Sequence, residues 1–386
     1  MEGIHRKRRW IDVALNPNPE VHNVSPNTIG VAISGGIDSL VTAYLLKKQG
    51  HSVIGIHFLT GYEAGDTSGG STESADRRIA VATHRLRPIS EQVGIPLTVV
   101  DVSGEFEHTV VRYFTETYRS GRTPNPCLVC NPSIKFDLIL TRVIQSGATH
   151  LATGHYARII EEPQGQFHLL RGKDHHKDQS YFLSFLSQEK LSRAVFPLGE
   201  WSKDKVRKLA AENGLRPILS DESQDVCFIK NGNYTKFLKN RVDFNPSPGL
   251  IEDMDGHVIG EHSGLHGFTV GQRRGINCPA SEPYYVVRLD KERNRLVVGF
   301  QNHTRSSGCR VEQINWICSP DDDPIRVRTR IRYRHRAAVS DVYVRGNASA
   351  DVRFETPQSA VTPGQGAVFY RGDEVLGGGI IVDTVK

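Results

Sequence analysis

The chain has 386 residues, which is enough for two or three domains, and 38% of them are hydrophobic while 24% are charged. No apolar run approaches the length of a membrane span, and the basic stretch at residues 1–10 lacks the apolar segment of a secretory signal. We therefore expect a cytoplasmic protein without a membrane partner, with the mitochondrial matrix as the alternative. A net charge of +5 permits a polyanionic partner without requiring one.

The first predicted strand, residues 29–33, and a helix at residues 40–49 enclose the sequence Ser-Gly-Gly-Ile-Asp-Ser. Glycines without a Cβ, two hydroxyl groups and the free N–H groups of a helix start form an anion cradle. Neither the Walker lysine nor the dinucleotide glycine spacing is present. Asp38 suits such a loop if a divalent cation lies between its carboxylate and phosphates. The alternative is that Asp38 and Ser39 only cap the helix.

Strands and helices alternate as far as about residue 213. Further strands are predicted at 52–58, 97–102 and 150–153, and further helices at 73–92, 105–118, 134–145 and 203–213. The alternation predicts an α/β fold, with a parallel sheet covered on both faces and ligands at the carboxyl ends of its strands.

The pattern changes near residue 228, where short alternating runs with Gly, Pro and Asn replace the helical periodicity. We expect three domains: a catalytic domain at 25–230, a small mixed α+β domain at 231–300, and a C-terminal β-barrel at 301–386.

Arginine occupies every second position from 326 to 336. If this stretch is one strand, all six guanidinium groups lie on one face and suit a phosphate backbone. The alternative is a solvated edge that is protected from aggregation by its charge.

Residues 34–39 resemble the pyrophosphatase loop of an ATP-dependent family that includes asparagine synthetases, GMP synthetases and tRNA-sulfurating enzymes. Further stretches at 121–131, 152–156, 177–182 and 264–275, with Cys227-Phe228 and the Thr-Pro-Gly-Gln that ends at Gln365, resemble tRNA-specific 2-thiouridylases. This resemblance implies ATP-dependent adenylation of the C2 oxygen of the wobble uridine of tRNA. Sulfur transfer then yields 2-thiouridine, AMP and pyrophosphate.

The resemblance also implies roles for individual positions. ATP would be bound by Ser34, Gly35, Gly36, Ile37, Asp38, Ser39, Phe58 and Gly154. The target base would face Asn125, Pro126 and Cys127, and tRNA would contact His155, Lys177, Asp178, Gln179, Arg332, Tyr333 and Gln365. Cys130 matches the nucleophile and Cys227 the carrier of a persulfide. Many members have Asp at the position of Cys127, and Leu40 replaces a second serine.

Two sulfur-delivery schemes are open for these cysteines. In one, Cys227 carries a persulfide and Cys130 resolves it by forming a disulfide with Cys227. In the other, Cys127, Cys130 and Cys227 ligate a [4Fe–4S] cluster. We expect Cys130 in a loop ahead of the helix at 134–145, whose positive end favours a thiolate, and Cys227 at the end of a strand-like segment at 225–229. The remaining cysteines, Cys278, Cys309 and Cys318, are predicted to be small buried hydrophobic residues.

The implied cofactors and partners are ATP, Mg²⁺, tRNA and a sulfur donor, which is a cysteine desulfurase, a sulfur relay protein or inorganic sulfide. One rival hypothesis is an ATP pyrophosphatase that adenylates a small metabolite. Another is a non-enzymatic zinc or RNA-binding module built on Cys127-x-x-Cys130, although no second pair of ligands is evident at short spacing.

Overall fold

The computed structural model describes residues 28–63, 74–219, 226–229, 232–241, 244–319 and 322–386. The predicted start of the first domain and the predicted boundary near residue 230 lie outside these ranges, as do residues 64–73 of a predicted loop. None of the described helices is long and apolar enough to cross a membrane.

The first unit is built on a five-stranded parallel sheet. Its strands are β1 (Thr28–Ala32), β2 (Ser52–Leu59), β3 (Leu97–Asp101), β4 (His150–Ala152) and β7 (Ala194–Val195). Two further strands of this part of the chain, β5 (Ala157–Glu161) and β6 (Phe167–Arg171), belong to another sheet. The parallel sheet has the order β3-β2-β1-β4-β7. The predicted α/β fold with a parallel sheet is therefore confirmed.

Helices cover both faces of this sheet. They are α1 (Ile37–Lys48), α2 (Ala75–Val93), α3 (Ser103–Phe106, Glu107–Val111 and Arg112–Arg119), α4 (Cys127–Cys130, Asn131–Ile139 and Leu140–Gln145), α5 (Gln188–Ser192) and α6 (Lys203–Glu212). The apolar side chains of α1, α2 and α6 pack on one face, and those of α3 and α4 on the other. This two-sided burial explains why the predicted strands are continuously apolar.

Helix α4 begins earlier than predicted. Residues 127–131, predicted as loop, are helical from Cys127 onward, and the segment Asn131–Ile139 is π-helical with a kink at Phe136. Pro132 lies at the start of this segment and has no N–H to donate to the preceding turn. The proline therefore changes the hydrogen bonding of the helix here without ending it.

A small mixed unit follows. It contains helix α7 (Tyr234–Lys239) and strands β8 (Gly249–Glu252), β9 (Val258–His262), β10 (Tyr285–Asp290) and β11 (Arg295–Gly299), in the order β10-β11-β8-β9. The strands have their own core, whereas Phe237 and Leu238 of α7 pack into the core of the first unit.

The C-terminal strands form a closed barrel, as predicted. They are β12 (Arg305–Trp316), β13 (Ile325–Arg330), β14 (Ala338–Arg345), β15 (Ser349–Ser359), β16 (Gly366–Arg371) and β17 (Glu374–Val385), and β12 pairs with both β15 and β17. The β5–β6 hairpin, which the sequence analysis missed, extends this sheet because β6 pairs with β17. The first unit and the barrel therefore share a sheet.

The prediction of one arginine-bearing strand at 326–336 is wrong. Strand β13 ends at Arg330, and Thr329 pairs with Ala338 of β14, so the chain must reverse between these residues. Arg326 is also paired with Asp341 and Glu355. The alternating arginines therefore do not form one continuous ribbon of charge.

Candidate active site

The candidate site lies where the order of the parallel strands changes direction. β2 pairs with one edge of β1 and β4 with the other, so the segments that follow β1 and β4 leave the sheet side by side. Residues 34–39 follow β1, and Gly154 follows β4. Ligands of open parallel sheets bind at such switch points.

The two serines of the loop hold it closed. Ser39 Oγ donates to Gly36 O at 2.9 Å, and it lies 3.2 Å from both Ser34 N and Ser34 Oγ. Gly35 has φ +93°, a conformation that favours glycine. Gly36 is the N-cap of α1, and no side chain caps this helix end. Asp38 and Ser39 therefore do not cap α1 through side-chain hydrogen bonds.

Asp38 faces a lysine and a tyrosine from elsewhere in the first unit. Lys203 Nζ lies 2.8 Å from each of the two carboxylate oxygens, and Tyr156 Oη donates to Oδ1 at 2.8 Å. The Asp38 side chain keeps 31% of its surface exposed, against 6% for Lys203. The buried ammonium group of Lys203 thus holds a carboxylate that is still partly exposed to solvent.

Gly154 allows the close approach of two segments at this point. A Cβ at Gly154 would lie 2.9 Å from Asp38 C and 3.1 Å from Ser39 N. The start of α1 and the end of β4 are therefore in direct contact, which puts the predicted nucleoside-binding Gly154 beside the phosphate loop. Phe58 lies half-buried on the neighbouring strand β2.

Lys203 was missed by the sequence analysis, although one signal was available. It is the first residue of α6, directly after the capping residue Ser202. A cation at a helix N-terminus opposes the helix dipole, so a lysine there needs a local anion. Asp38 supplies that anion.

The structure brings together the three cysteines that were predicted to act in catalysis. Cys127 and Cys130 lie in the first turn of α4, and Cys227 is exposed in a turn at 226–229, which is not the predicted strand-like segment. They are near enough that charge on Cys227 would raise the pKa of both Cys127 and Cys130. All are free thiols.

Burial is the largest influence on the pKa values of these thiols. It raises the pKa of Cys127 to about 11 and that of Cys130 to about 12, and desolvation also raises the pKa of Cys227. The predicted thiolate at Cys130 is therefore not favoured in the free protein. The positive charge of Lys135, which the sequence analysis missed, lowers the pKa of each thiol and partly offsets this effect.

His155 is a buried neutral residue next to this group. Burial, and then the charge of Lys135, holds its pKa well below the usual value. Its Nδ1 lies 2.6 Å from Thr153 Oγ1, and its ring contacts Phe196 edge-on. Lys135 therefore influences both the cysteines and the residue that follows Gly154, which connects the two halves of the site.

The barrel holds the segment that leads into the cysteines. Gln365 Nε2 donates to Thr123 O at 3.1 Å and to Pro124 O at 2.9 Å, and Thr123 N donates to Pro363 O at 2.9 Å. Gly364 is needed because a Cβ there would lie 2.6 Å from Thr123 O. Thr123 and Gln365 are 242 residues apart in the chain, and these hydrogen bonds hold their two segments together. Asn125 and Pro126, which follow, are buried.

Asp178 lies at the centre of a second contact between the units. Its carboxylate has no exposed surface and accepts bonds from Arg171, Arg330 and the N–H groups of Gly172 and Ser180, at 3.1 to 3.2 Å. The carboxylate thus joins the β5–β6 hairpin to the barrel, and the predicted contact of Asp178 with tRNA stays a prediction.

The comparisons with known proteins cover most of the chain. Family models match at residues 27–231 (tRNA methyl transferase HUP domain), 235–300 (tRNA methyl transferase PRC-barrel domain) and 306–381 (aminomethyltransferase beta-barrel domain). A tRNA-specific 2-thiouridylase MnmA of Desulfosudis oleivorans is 50% identical, covering 95% of this chain and 98% of that protein. The MnmA of Geobacter metallireducens is 44% identical, covering 92% and 96%. The chain belongs to the tRNA-specific 2-thiouridylase family.

Membership in the 2-thiouridylase family confirms the resemblance, the fold class and an enzyme of the tRNA sulfurtransferase class. The family models name a methyl transferase, but the relatives with high identity over nearly the full length name a thiouridylase. The roles of individual residues and the domain boundaries at 230 and 300 stay predictions.

Several residues that were predicted to contact tRNA make hydrogen bonds to other parts of the protein. Gln179 accepts the N–H of Tyr156 at 3.0 Å, and Tyr156 in turn bonds Asp38. Arg332 is half-buried, donates to the carbonyl oxygens of Ser359 and Ala360, and has its pKa lowered by desolvation. These contacts position the site whether or not the same residues reach tRNA.

Tyr333 packs against the same buried apolar cluster as Cys130. Its ring packs against Phe182 with centroids 4.3 Å apart, and Arg330 lies 5.4 Å from its centroid. Burial raises the pKa of Tyr333, and charge on Cys127 would add a smaller effect in the same direction. Arg330 joins Asp178 to the turn that carries Tyr333, because it donates to Asp178 Oδ2 and to His335 O, each at 3.1 Å.

Proposed function

We propose that the protein uses ATP to adenylate the C2 oxygen of the wobble uridine in tRNA and then replaces that oxygen with sulfur. The observation that carries this proposal is the position of the three cysteines beside the carboxyl edge of the sheet that bears the phosphate loop. Lys135 acts electrostatically on Cys127, Cys130 and His155, and His155 follows the glycine that contacts Asp38.

Adenylation is needed because the C2 oxygen of uridine is a poor leaving group. Once it carries AMP, attack by sulfur at C2 expels AMP, and pyrophosphate has left in the first step. The loop at 34–39 offers backbone N–H groups and hydroxyls to the phosphates. A bare metabolite would not need the contacts with the barrel, so the small-molecule synthetase has no support here.

The residues of the loop fit a magnesium ion. Asp38 offers a partly exposed carboxylate, the type of ligand that Mg²⁺ takes together with substrate phosphates. Bound there, the ion would neutralise phosphate charge as pyrophosphate leaves. Lys203 Nζ lies 2.8 Å from both Asp38 oxygens and would hold this carboxylate in place before ATP binds.

Two schemes for sulfur delivery fit the three cysteines. In the first, the terminal sulfur of a Cys227 persulfide attacks C2 and AMP leaves. Cys130 then attacks the Cys227 sulfur, which releases 2-thiouridine and leaves a Cys130–Cys227 disulfide for an external thiol to reduce. In the second, Cys127, Cys130 and Cys227 would hold an iron–sulfur cluster, which supplies an iron that can bind hydrosulfide. The presence of Cys127 at the same site gives the second scheme its support.

The sulfur donor is proposed to be a cysteine desulfurase, a sulfur relay protein or inorganic sulfide, and a cytoplasmic location is proposed with it. The decisive experiment incubates the protein with ATP, magnesium, a sulfide source and unmodified tRNA, and measures 2-thiouridine in the nucleoside digest. We expect product that depends on ATP. Pyrophosphate release with a small metabolite and no RNA would contradict the proposal.

Iron analysis separates the two delivery schemes. The wild type and Cys127→Ala are purified or reconstituted without oxygen, and iron, sulfide and thiolation are measured on the same samples. Loss of both iron and activity in Cys127→Ala contradicts the persulfide scheme. Full thiolation by iron-free wild type contradicts the cluster.

A further inference from the structure

Three side chains of metal-binding type meet where the β5–β6 hairpin joins the barrel, outside the residues of the candidate active site. The ligand atoms of His168, Cys318 and Glu374 all lie within 4.8 Å of one another. His168 is in β6, Glu374 begins β17, and Cys318 follows the end of β12. The proposed reaction uses none of them.

Ordered backbone contacts bring these three segments together. β6 pairs with β17, and the N–H of Cys318 donates to Leu376 O of β17 at 3.2 Å. Gln188 donates from Nε2 to Phe167 O at 2.7 Å and to Ile317 O at 2.8 Å. The residues before His168 and Cys318 are therefore held by one side chain. Metal sites need this kind of rigid support.

Each ring nitrogen of His168 lies near a carboxylate, although Nε2 makes no hydrogen bond with the described residues. Its Nδ1 lies 3.4 Å from Cys318 Sγ and 2.6 Å from Glu374 Oε1. Its Nε2, on the other side of the ring, lies 3.1 Å from Glu162 Oε1. Histidines that bind metal through one nitrogen usually direct the other to a carboxylate or carbonyl group.

The chemistry of the group favours zinc among divalent cations. Thiolate, imidazole and carboxylate are the ligand types that zinc takes in proteins. A thiolate and a carboxylate together neutralise the charge of a divalent ion, which suits a site where Cys318 is only 9% exposed. Without a metal, burial and the nearby Glu374 raise the pKa of Cys318 to about 12, so the group would hold a neutral thiol.

We propose that His168, Cys318 and Glu374 bind one zinc ion, with Glu162 orienting His168 and a water molecule completing the coordination. The ion would join the hairpin of the first unit to both β12 and β17 of the barrel. It would therefore stabilise the contact through which the barrel holds Gln365 and Tyr333 at the catalytic segment.

The test must exclude zinc at the catalytic cysteines. It therefore uses the full chain with Cys127→Ser, Cys130→Ser and Cys227→Ser as the background. Co²⁺ is added first, because a cobalt–thiolate bond gives a charge-transfer band in the near ultraviolet, and Zn²⁺ then displaces it to yield a dissociation constant. We expect one ion per chain and a rise in the midpoint of thermal unfolding with added Zn²⁺.

Further substitutions in this background assign the site. Cys318→Ser should lose the charge-transfer band, and Glu374→Gln should keep the band but weaken zinc binding by about 10-fold or more. Glu162→Gln should weaken it by about 10-fold. Two controls should bind as the background does: Cys278→Ser in the central unit, and His257→Ala in the exposed group formed with Asp253 and Asp255.

Several results would overturn the proposal. A background protein that binds no Co²⁺ would mean that the three residues form only a hydrogen-bonded group. A charge-transfer band that survives Cys318→Ser, or an equal loss of affinity in His257→Ala, would assign the metal to another site. If Cys318→Ser does not fold, unchanged zinc affinity in Glu374→Gln is decisive against the site.

Discussion

Asp38 and Asp178 are both held by basic side chains, but their carboxylates differ in what they leave open. Asp178 is completely covered, and two guanidinium groups and two backbone N–H groups use its oxygens. Asp38 is held by Lys203 and Tyr156 from one side and keeps 31% of its side-chain surface exposed.

The difference separates a structural carboxylate from one that can act on a ligand. A buried carboxylate whose hydrogen bonds are complete cannot take a new partner without losing an old one. A half-open carboxylate at the end of a parallel strand can accept a cation or a phosphate-bound metal. Both lie in family motifs, so the motif alone does not distinguish them.

The largest expected effect is on catalysis at Asp38. Asp38→Ala should lower AMP formation by about 10³-fold or more, since the proposed cation would lose its protein ligand. Affinity for tRNA should stay within a factor of about two, because its phosphate contacts are separate. AMP release and filter binding of tRNA measure the two quantities. An equal loss of tRNA binding would contradict this division.

The next effect is on stability at Asp178. Asp178→Asn should lower the free energy of unfolding by about 3 kcal/mol, because Arg171 and Arg330 would keep their charge without a buried anion. Denaturant unfolding measures it. The matched control is Asp341→Asn, an exposed partner of Arg326, which should change stability by less than about 0.5 kcal/mol. Equal effects would mean that burial does not distinguish the two pairs.

A smaller effect is expected at Lys203, which connects the open carboxylate to the protein. Lys203→Met keeps the apolar stem and should lower turnover by about 10- to 100-fold, the value of one charged hydrogen bond of about 1.5–3 kcal/mol. In a double-mutant cycle with Asp38→Ala the losses should not add, because the residues act together. Additive losses would mean that Lys203 and Asp38 act independently.

The smallest effect is expected in the arginines of β13. Arg328→Ala should reduce the slope of log affinity for tRNA against log salt concentration by about 0.7 to 0.9 if its exposed guanidinium contacts one phosphate. Arg326→Ala should leave it almost unchanged, because Asp341 and Glu355 already pair with that side chain. The same slope for both variants and the wild type would make this strand a solvated face.

Local sequence determined the elements of the first unit. A short apolar run of strand length specifies β1, and an amphipathic run that follows the capping residue Ser202 specifies α6. The apolar run that follows the glycines of the loop specifies α1, although most of that helix is buried. The phosphate loop is equally local, since its serines bond within six residues of one another. The motifs also identified the family before any contact was known.

Tertiary structure alone decided which of these residues act together. Lys203 reaches Asp38 across 165 residues and Gln365 reaches Pro124 across 241, and no local pattern encodes such distances. The same holds for the burial that raises the pKa of Cys130 and for the reversal that breaks the arginine series between Thr329 and Ala338. Burial and pairing depend on what the rest of the chain packs against a residue, so they are properties of the fold and not of the segment.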